Sequence, residues 1–386
     1  VITPAARRNC IIPPYVLDIL LQSPNPEVRG AAIETLVSDT RMRTERRLTA
    51  AMPLAAPPTD AARTVFDCRS SRNLAAARQV RGESGAAVAD ESVNRAFDGL
   101  GTTRAFFAEV LQRKSIDDRG MQLHGYVHYG RRYNNALWDG SRMIFGDGDG
   151  QVFTDFTKSL DVIAHELAHG VTQFTADLVY ESQSGALNES MSDVFGSLVK
   201  QWNAKQTADK ADWLIGADIF TPAIGADALR SMKAPGTAWN EALFGKDPQP
   251  AHMDDYADLP ISEDGDWGGV HTNSGIPNKA FYLAAVEIGG YAWEAPGHIW
   301  YEALRNAHSR TDFAEFAELT VAGAGRVCGA GSREQDAVRS AWAQVGVDVA
   351  GRRDARDGAA AKQIADLTAQ IKSLADQVEL ISAERR

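Results

Sequence analysis

Two kinds of apolar spacing occur along the chain, and their order divides it. LHGYVHYG over 123–130 alternates imperfectly, and short runs over 136–138 and 142–145 flank Asp139-Gly140, a pair suited to a tight hairpin turn. Strands are expected there. One helix is predicted before them, over 91–114, with Val93, Phe97, Leu100 and Phe107 as its apolar positions. Beyond residue 160 the spacing becomes three-and-four, and helices are expected over 188–202, 277–288, 297–307, 312–327 and 334–345. Pro277 suits a first helical position, Ser332 with Gln335 makes a capping box, and Gly289-Gly290 stops the helix that Pro277 opens. A strand-rich half followed by a helical half predicts an α+β chain of two domains with a cleft between them.

Both ends follow other patterns. Residues 1–50 hold seven Arg, no Lys and five acidic residues, a net charge of about +2 against about −13 for the remainder, so the two parts are complementary. Pro13 and Pro14 in CIIPPY are expected to stiffen an extended segment, Asn25-Pro26 to cap and start a helix, and Ile33, Leu36 and Val37 to form its apolar stripe. The Ala- and Pro-rich run over 51–63 reads as an exposed linker. After a charged, glycine-bounded stretch, the tail over 350–386 carries Ile364, Leu367, Ile371, Leu374, Val378 and Ile381 in unbroken three-and-four alternation. That is a coiled-coil seam and predicts a homo-oligomer, a helix docked on its own domain being the alternative.

Composition narrows the classes. With 386 residues, 44% hydrophobic and 24% charged, the chain is long enough for two domains and accessories. No apolar run approaches the roughly 18 residues needed to cross a bilayer, so no membrane partner is expected. A net charge of −11 argues against nucleic acid, which requires concentrated Lys and Arg. Cys10, Cys68 and Cys328 are too few for a disulfide scaffold and are not at zinc spacings. VITPAARRNC lacks the features of a secretory signal, and a chain that begins with Val is expected to lack an upstream piece.

Chemistry concentrates in DVIAHELAHGVTQFTADLVYESQSGALNESMSD, residues 161–193. His165 and His169, four apart, fall on one helical face and can hold one metal ion, with Glu166 beside the first histidine. This is the H-E-x-x-H arrangement of zinc hydrolases. Catalytic zinc takes three protein ligands and leaves a position open, and Glu189, twenty residues after His169, is the candidate third. Asp193 is four beyond Glu189, on the same face of a second helix, where a carboxylate can take the other N–H of a ligand histidine. A solvated acidic helix would show the same Glu and Asp spacing.

HELAHGVT, GALNESMSD and GGVHTNSGIPNKAFY at 268–282, in this order and at near-family spacing, resemble the thermolysin family of zinc metallopeptidases, the gluzincin type, and most closely its protealysin-type branch. The similarity runs over about 64–349. It implies a zincin fold with a strand-rich domain over 64–175 ending in the HELAH helix, a helical domain over 176–349, and the active site in the cleft. It further implies a zinc-dependent neutral endopeptidase acting on peptide or protein substrates, with Zn on His165, His169 and Glu189 activating water, and Glu166 as general base. His271 and Tyr180 match the oxyanion donors, Asp266 the carboxylate that orients His271, and Arg230 the group that binds a substrate carbonyl. NNALWDG matches the substrate-binding edge strand, so Asn135 and Ala136 are expected to face the substrate backbone. Phe153, Phe156, Val162, Ile215, Ile219 and Leu229 match the specificity pocket, which implies cleavage on the amino side of bulky hydrophobic residues.

Residues 1–50, with IIPPY near their start, resemble the short propeptide of protealysin-type precursors, which implies an intramolecular inhibitor released by cleavage in the linker; a plain N-terminal extension is the alternative. A Cys10 thiolate occupying the open metal position is a further expectation, with a buried free thiol as the plainer reading. At the family's double calcium site Asp161 and Asp212 match ligands, but Lys200 stands at the bridging position and Leu214 and Ala217 at two others. An ammonium cannot ligate calcium, which makes that site doubtful and leaves others, such as one around Thr221 and Asp227, open. Secretion is the family norm. Two alternatives remain: a catalytically inactive relative acting in binding or adhesion, and a metal hydrolase of another H-E-x-x-H family.

Overall fold

The computed structural model describes residues 10–49 and 62–349, so the linker sequence, apart from its last residues, and the heptad tail lie outside the described residues. The described part begins with Cys10 in an antiparallel bridge to Leu137, then turns into helix α1 (Pro14–Leu21) and helix α2 (Pro26–Thr49). Pro13 is extended, at φ −61° and ψ 148°, but Pro14 begins α1 rather than prolonging the expected extended run, because a fixed φ near −65° and a missing N–H suit the first turn of a helix. Asn25 accepts from the Glu27 N–H at 2.9 Å and starts α2 as expected.

The apolar stripe expected on α2 is corrected. Ile33 and Val37 are 53% and 56% exposed, only Leu36 of the three packs half-buried against the core, and the buried face is Val28, Ala31, Ala32, Thr35, Ser38 and Asp39. Small side chains let α2 lie close to the catalytic part, while Thr35 and Asp39 supply hydrogen bonds that an apolar stripe could not. Glu34 of α2 meets Arg72 at 3.3 Å and Arg132 at 4.0 Å, ion pairs opposite in sense to the net charges of the two parts.

Two strands, β1 (Arg63–Asp67) and β2 (Arg78–Gly82), precede α3 (Glu91–Glu109), where the sequence pattern gave no strand. β3 (Leu123–Val127), β4 (Ala136–Trp138) and β5 (Met143–Phe145) complete a five-stranded sheet of order β2-β1-β3-β5-β4. β4 and β5 form the expected hairpin, closed by the Asp139 carboxylate, which accepts from the Ser141 and Arg142 N–H groups at 2.9 and 3.0 Å. β4 is an edge strand of this sheet, and the residues paired along its open side are those around Cys10.

α4 (Leu160–Gln173) carries the H-E-x-x-H residues, and α5 (Ser182–Ala204) begins six residues before the expected start. A Cβ at Gly196 of α5 would lie 2.7 Å from the Asp161 carbonyl oxygen, so only glycine lets α5 approach α4 this closely. After them come β6 (Leu214–Ile215), β7 (Arg230–Ser231), α6 (Asp266–Asn273), α7 (Gly275–Ile288), α8 (Ala295–Asn306), α9 (Phe313–Cys328) and α10 (Arg333–Gln344). The last four match the expected helices to within two residues. Trp300 and Trp342 stack at their centre and Phe281 and Phe316 meet them edge-on, in an apolar core continuous with that beneath the sheet. This two-part arrangement, strands then helices, is the α+β zincin architecture.

His128, at the end of β3, ties α3 to the loop after β5: its Nδ1 meets Asp147 at 2.8 Å and its Nε2 meets Asp90 at 2.9 Å. The hydrogen bond to Asp147 outweighs partial burial, and with Asp90 it raises the imidazole to about 9. A folded-state value above the usual 6.5 means stabilisation that is complete below the usual range and lost as pH rises through about 9. With solvent screening at this half-buried site, the loss of unfolding free energy between pH 7 and 10 should be about 1 kcal/mol larger in the native chain than in His128→Gln. Parallel denaturation curves at both pH values check it, and equal losses would discount the clamp.

Candidate metal centre

α4 and α5 place the donor set. His165 Nε2 and His169 Nε2 lie 3.0 Å apart, and Glu189 of α5 sends Oε2 to within 3.5 Å of the first and Oε1 to within 3.4 Å of the second. All three are buried. His165 Nδ1 meets the Asp193 carboxylate and His169 Nδ1 the Asn188 amide oxygen, each at 2.8 Å. Both partners are acceptors, so each Nδ1 carries the hydrogen and each Nε2 presents a lone pair. Two lone pairs facing one another, beside a buried carboxylate whose Oε2 has no hydrogen-bond partner among the described residues, fit a divalent cation between them. Glu166 also reaches this cluster. However, the Trp138 N–H of β4 holds its Oε2 at 2.8 Å, which turns that oxygen toward the edge strand. Its Oε1 is buried and has no hydrogen-bond partner among the described residues. Burial, with Glu189 adding and His165 opposing, pushes the carboxyl to about 8, and a cation alongside would draw it back down.

Asp193 binds three groups at once. Besides His165 it accepts two bonds from Arg230 and one from the Asn278 amide, all at 2.8 Å. Burial raises its carboxyl, but Arg230 and His165 prevail and hold it at about 2. Arg230, on β7, is buried, and Asp193 fixes its guanidinium. Asn188, Ser192 and Asn278 carried no sequence signal of their own; Asn188 and Ser192, one before Glu189 and one before Asp193, repeat the same four-residue spacing on the neighbouring stripe of α5 and meet His169.

His271 enters on α6, whose backbone breaks at Trp267, Gly268 and Gly269, all with φ between 54° and 82°. That left-handed turn folds Asp266 back so that it accepts from the His271 N–H at 2.8 Å and meets Nδ1 at 2.6 Å. Burial opposes the imidazolium, but Glu189 and Asp266 together raise His271 above its ordinary range. Nε2 therefore points its hydrogen into the cleft, 3.2 Å from the Tyr180 hydroxyl, which itself hydrogen-bonds Glu189.

An extended strand of the same chain lies in the cleft. The Ile11 N–H donates to the Ala136 carbonyl at 3.1 Å and the Ile12 N–H to Asn135 Oδ1 at 3.0 Å. Arg230 donates to the Ile11 carbonyl at 3.3 Å, and His271 Nε2 lies 3.2 Å from the Cys10 carbonyl oxygen. The Cys10 sulfur is not among the grouped metal donors: it lies 3.6 Å from the Ile12 carbonyl oxygen, and the side chain packs against the cluster that includes Tyr133 and Leu137. The backbone of Cys10, rather than its thiol, thus faces the site, because strand pairing along β4 fixes the main chain and sends the side chain aside. Behind this strand Asp39 of α2 takes the Tyr133 hydroxyl and, at 3.2 Å, the Asn135 amide, and Thr35 takes the Asn134 N–H at 3.0 Å. Phe153, Phe156, Val162, Ile215, Ile219 and Leu229 are all buried in the same apolar cluster as Ile11.

Lys200 of α5 bridges Asp161 Oδ2 at 3.2 Å and Asp212 Oδ2 at 2.9 Å, and donates to the Leu214 carbonyl at 3.2 Å. An ammonium thus fills the space where the resemblance would put calcium, and the residues present do not fit that ion.

Comparison with known proteins places this geometry. Residues 64–173 match the family described as thermolysin metallopeptidase, catalytic domain, and residues 176–347 match the thermolysin metallopeptidase, alpha-helical domain. An extracellular metalloprotease of Pectobacterium carotovorum subsp. carotovorum is 43% identical over 341 residues, covering 88% of this chain and 96% of its own. Protease PrtS of a Photorhabdus strain is 48% identical over 289 residues, 74% of this chain and 76% of its own. Among solved structures, the precursor of protealysin, a metalloproteinase from Serratia proteamaculans, aligns with a TM-score of 0.79 and 46% identity over 88% of this chain and 99% of that one.

Proposed function

The chain belongs to the thermolysin family of metallopeptidases, and on that premise we propose that it is the latent precursor of a zinc endopeptidase that cuts on the amino side of bulky hydrophobic residues. Family membership makes it a metalloendopeptidase. One coincidence carries the finer reading: three convergent metal donors, a buried carboxylate and a peptide strand laid along β4 meet in one cleft. Residues 1–50 are the propeptide, 51–63 the linker cut on activation, 64–175 and 176–349 the two catalytic domains. The names of the relatives favour secretion.

His165, His169 and Glu189 would hold the zinc, which when bound polarises a peptide carbonyl and acidifies water. Glu166 takes the proton as water attacks and delivers it to the departing nitrogen, which would otherwise leave as an unstable anion. His271, kept charged and oriented by Asp266, donates to the developing oxyanion, and Tyr180 joins it when its hydroxyl leaves Glu189. Asn135 and Ala136 hold the substrate backbone as they hold Ile12 and Ile11 here, and Arg230, braced by Asp193, takes the next carbonyl. The six matched residues, all apolar and buried in the core that also takes Ile11, support the preference for a bulky hydrophobic side chain. An inactive relative would be expected to have lost a ligand or the base, and none is lost.

Casein hydrolysis by the chain cleaved in its linker should vanish with a zinc chelator and return with one equivalent of zinc. Activity indifferent to chelation would overturn the reading. A calcium-selective chelator that spares zinc should leave the melting temperature unchanged, whereas Lys200→Met, which takes the cation from the buried Asp161 carboxylate and leaves it only the Ser159 hydroxyl, should cost about 1–3 kcal/mol. A large drop in melting temperature on calcium removal would count against Lys200 as the substitute.

A further inference from the structure

We infer that the Cys10–Ile11 peptide bond is itself a substrate of the centre, a second processing site inside the propeptide, cut in the same register in which it inhibits. This rests on the peptidase reading above. The main chain here is bound residue by residue. Cys10 pairs antiparallel with Leu137, the Ile11 N–H goes to Ala136, the Ile12 N–H goes to Asn135, and Arg230, clamped on Asp193, takes the Ile11 carbonyl. Of these carbonyls, that of Cys10 meets His271 Nε2, an atom 3.6 Å from Glu189 Oε1 and so adjacent to the metal donors. The carbonyl presented for attack is therefore that of Cys10, and the bond that breaks is the one to Ile11.

The register is pinned from the sequence side. A slide by one residue toward the proline pair would bring Pro13 to Asn135 Oδ1, and Pro13 has no N–H to give. It would also exchange the faces to which the side chains point. In the hydrolysis, water adds its oxygen to the Cys10 carbonyl carbon and the C–N bond breaks. The segment ending at Cys10 leaves as a carboxylate, and Ile11 becomes an α-ammonium. Cleavage is slow to disperse the product, since Ile11 and Ile12 are fully buried and α1 starts two residues further on. Once it occurs, the strand loses its Cys10–Leu137 pairing and its bond to His271, which weakens inhibition independently of any cut in the linker.

Two measurements with zinc-loaded protein test it. A synthetic peptide of residues 5–16 given to the linker-cleaved enzyme should be cut between Cys10 and Ile11, read by mass spectrometry. The full chain, incubated alone, should accumulate a form beginning at Ile11 that Glu166→Gln does not produce. If the same enzyme hydrolyses casein but leaves the peptide intact or cuts it elsewhere, or the full chain never yields the Ile11 terminus, the inference fails and the peptidase reading stands. If casein is also untouched, the peptidase reading itself has failed.

Discussion

Glu166→Gln is expected to keep the metal and lose about two to four orders of magnitude in turnover. The structure makes this a clean substitution. The bond from the Trp138 N–H to Glu166 Oε2 survives on the glutamine oxygen, so neither the edge strand nor the HELAH helix should shift. His165, His169 and Glu189 make no hydrogen bond to the side chain replaced, and their Nδ1 and carboxylate contacts run to Asp193, Asn188 and Tyr180. What disappears is the capacity to accept a proton beside the metal donors. Single-turnover kinetics with zinc content measured on the same sample decides the matter. Near-native turnover in a metal-replete variant would remove Glu166 from the role of base.

The uncleaved chain should be about a thousandfold less active than the linker-cleaved enzyme. A tethered segment acts at an effective concentration in the millimolar range, so even a local affinity in the micromolar range gives roughly that ratio. The strand at Cys10 to Ile12 fills the groove, but α2 supplies the clamp that holds it there. Asp39 is buried between the Tyr133 hydroxyl and the Asn135 amide, and its removal leaves both donors unpaired. At about 1–3 kcal/mol, Asp39→Ala should raise the activity of the uncleaved chain roughly five- to hundredfold while leaving the mature enzyme, which lacks α2, unaltered. Equal activity of cleaved and uncleaved chains would falsify latency. Undiminished latency in Asp39→Ala would place the clamp elsewhere, in the Ile11–Ile12 strand alone.

What could be read from the sequence was whatever one element fixes within itself. Four-residue spacing on a helix puts His165 and His169 on one face, and Glu189 with Asp193 on another, before any tertiary contact exists. The Asp139-Gly140 turn fixes the β4–β5 hairpin in the same way, and Ser332 caps the last helix through the Gln335 N–H at 3.3 Å. Tertiary structure alone decided how those faces meet. The close approach of α5 to α4 at Gly196 brings the Glu189 oxygens to the histidines, and Asn278, 85 residues beyond Asp193, closes the network on its carboxylate. It also decided α2. Apolar spacing pointed to Ile33 and Val37, yet the helix buries Thr35 and Asp39, because the surface it covers presents polar groups, Tyr133, Asn134 and Asn135. Periodicity records which positions share a face. Which face is buried, and against what, depends on the partner's chemistry, and that partner lies about a hundred residues away in the chain.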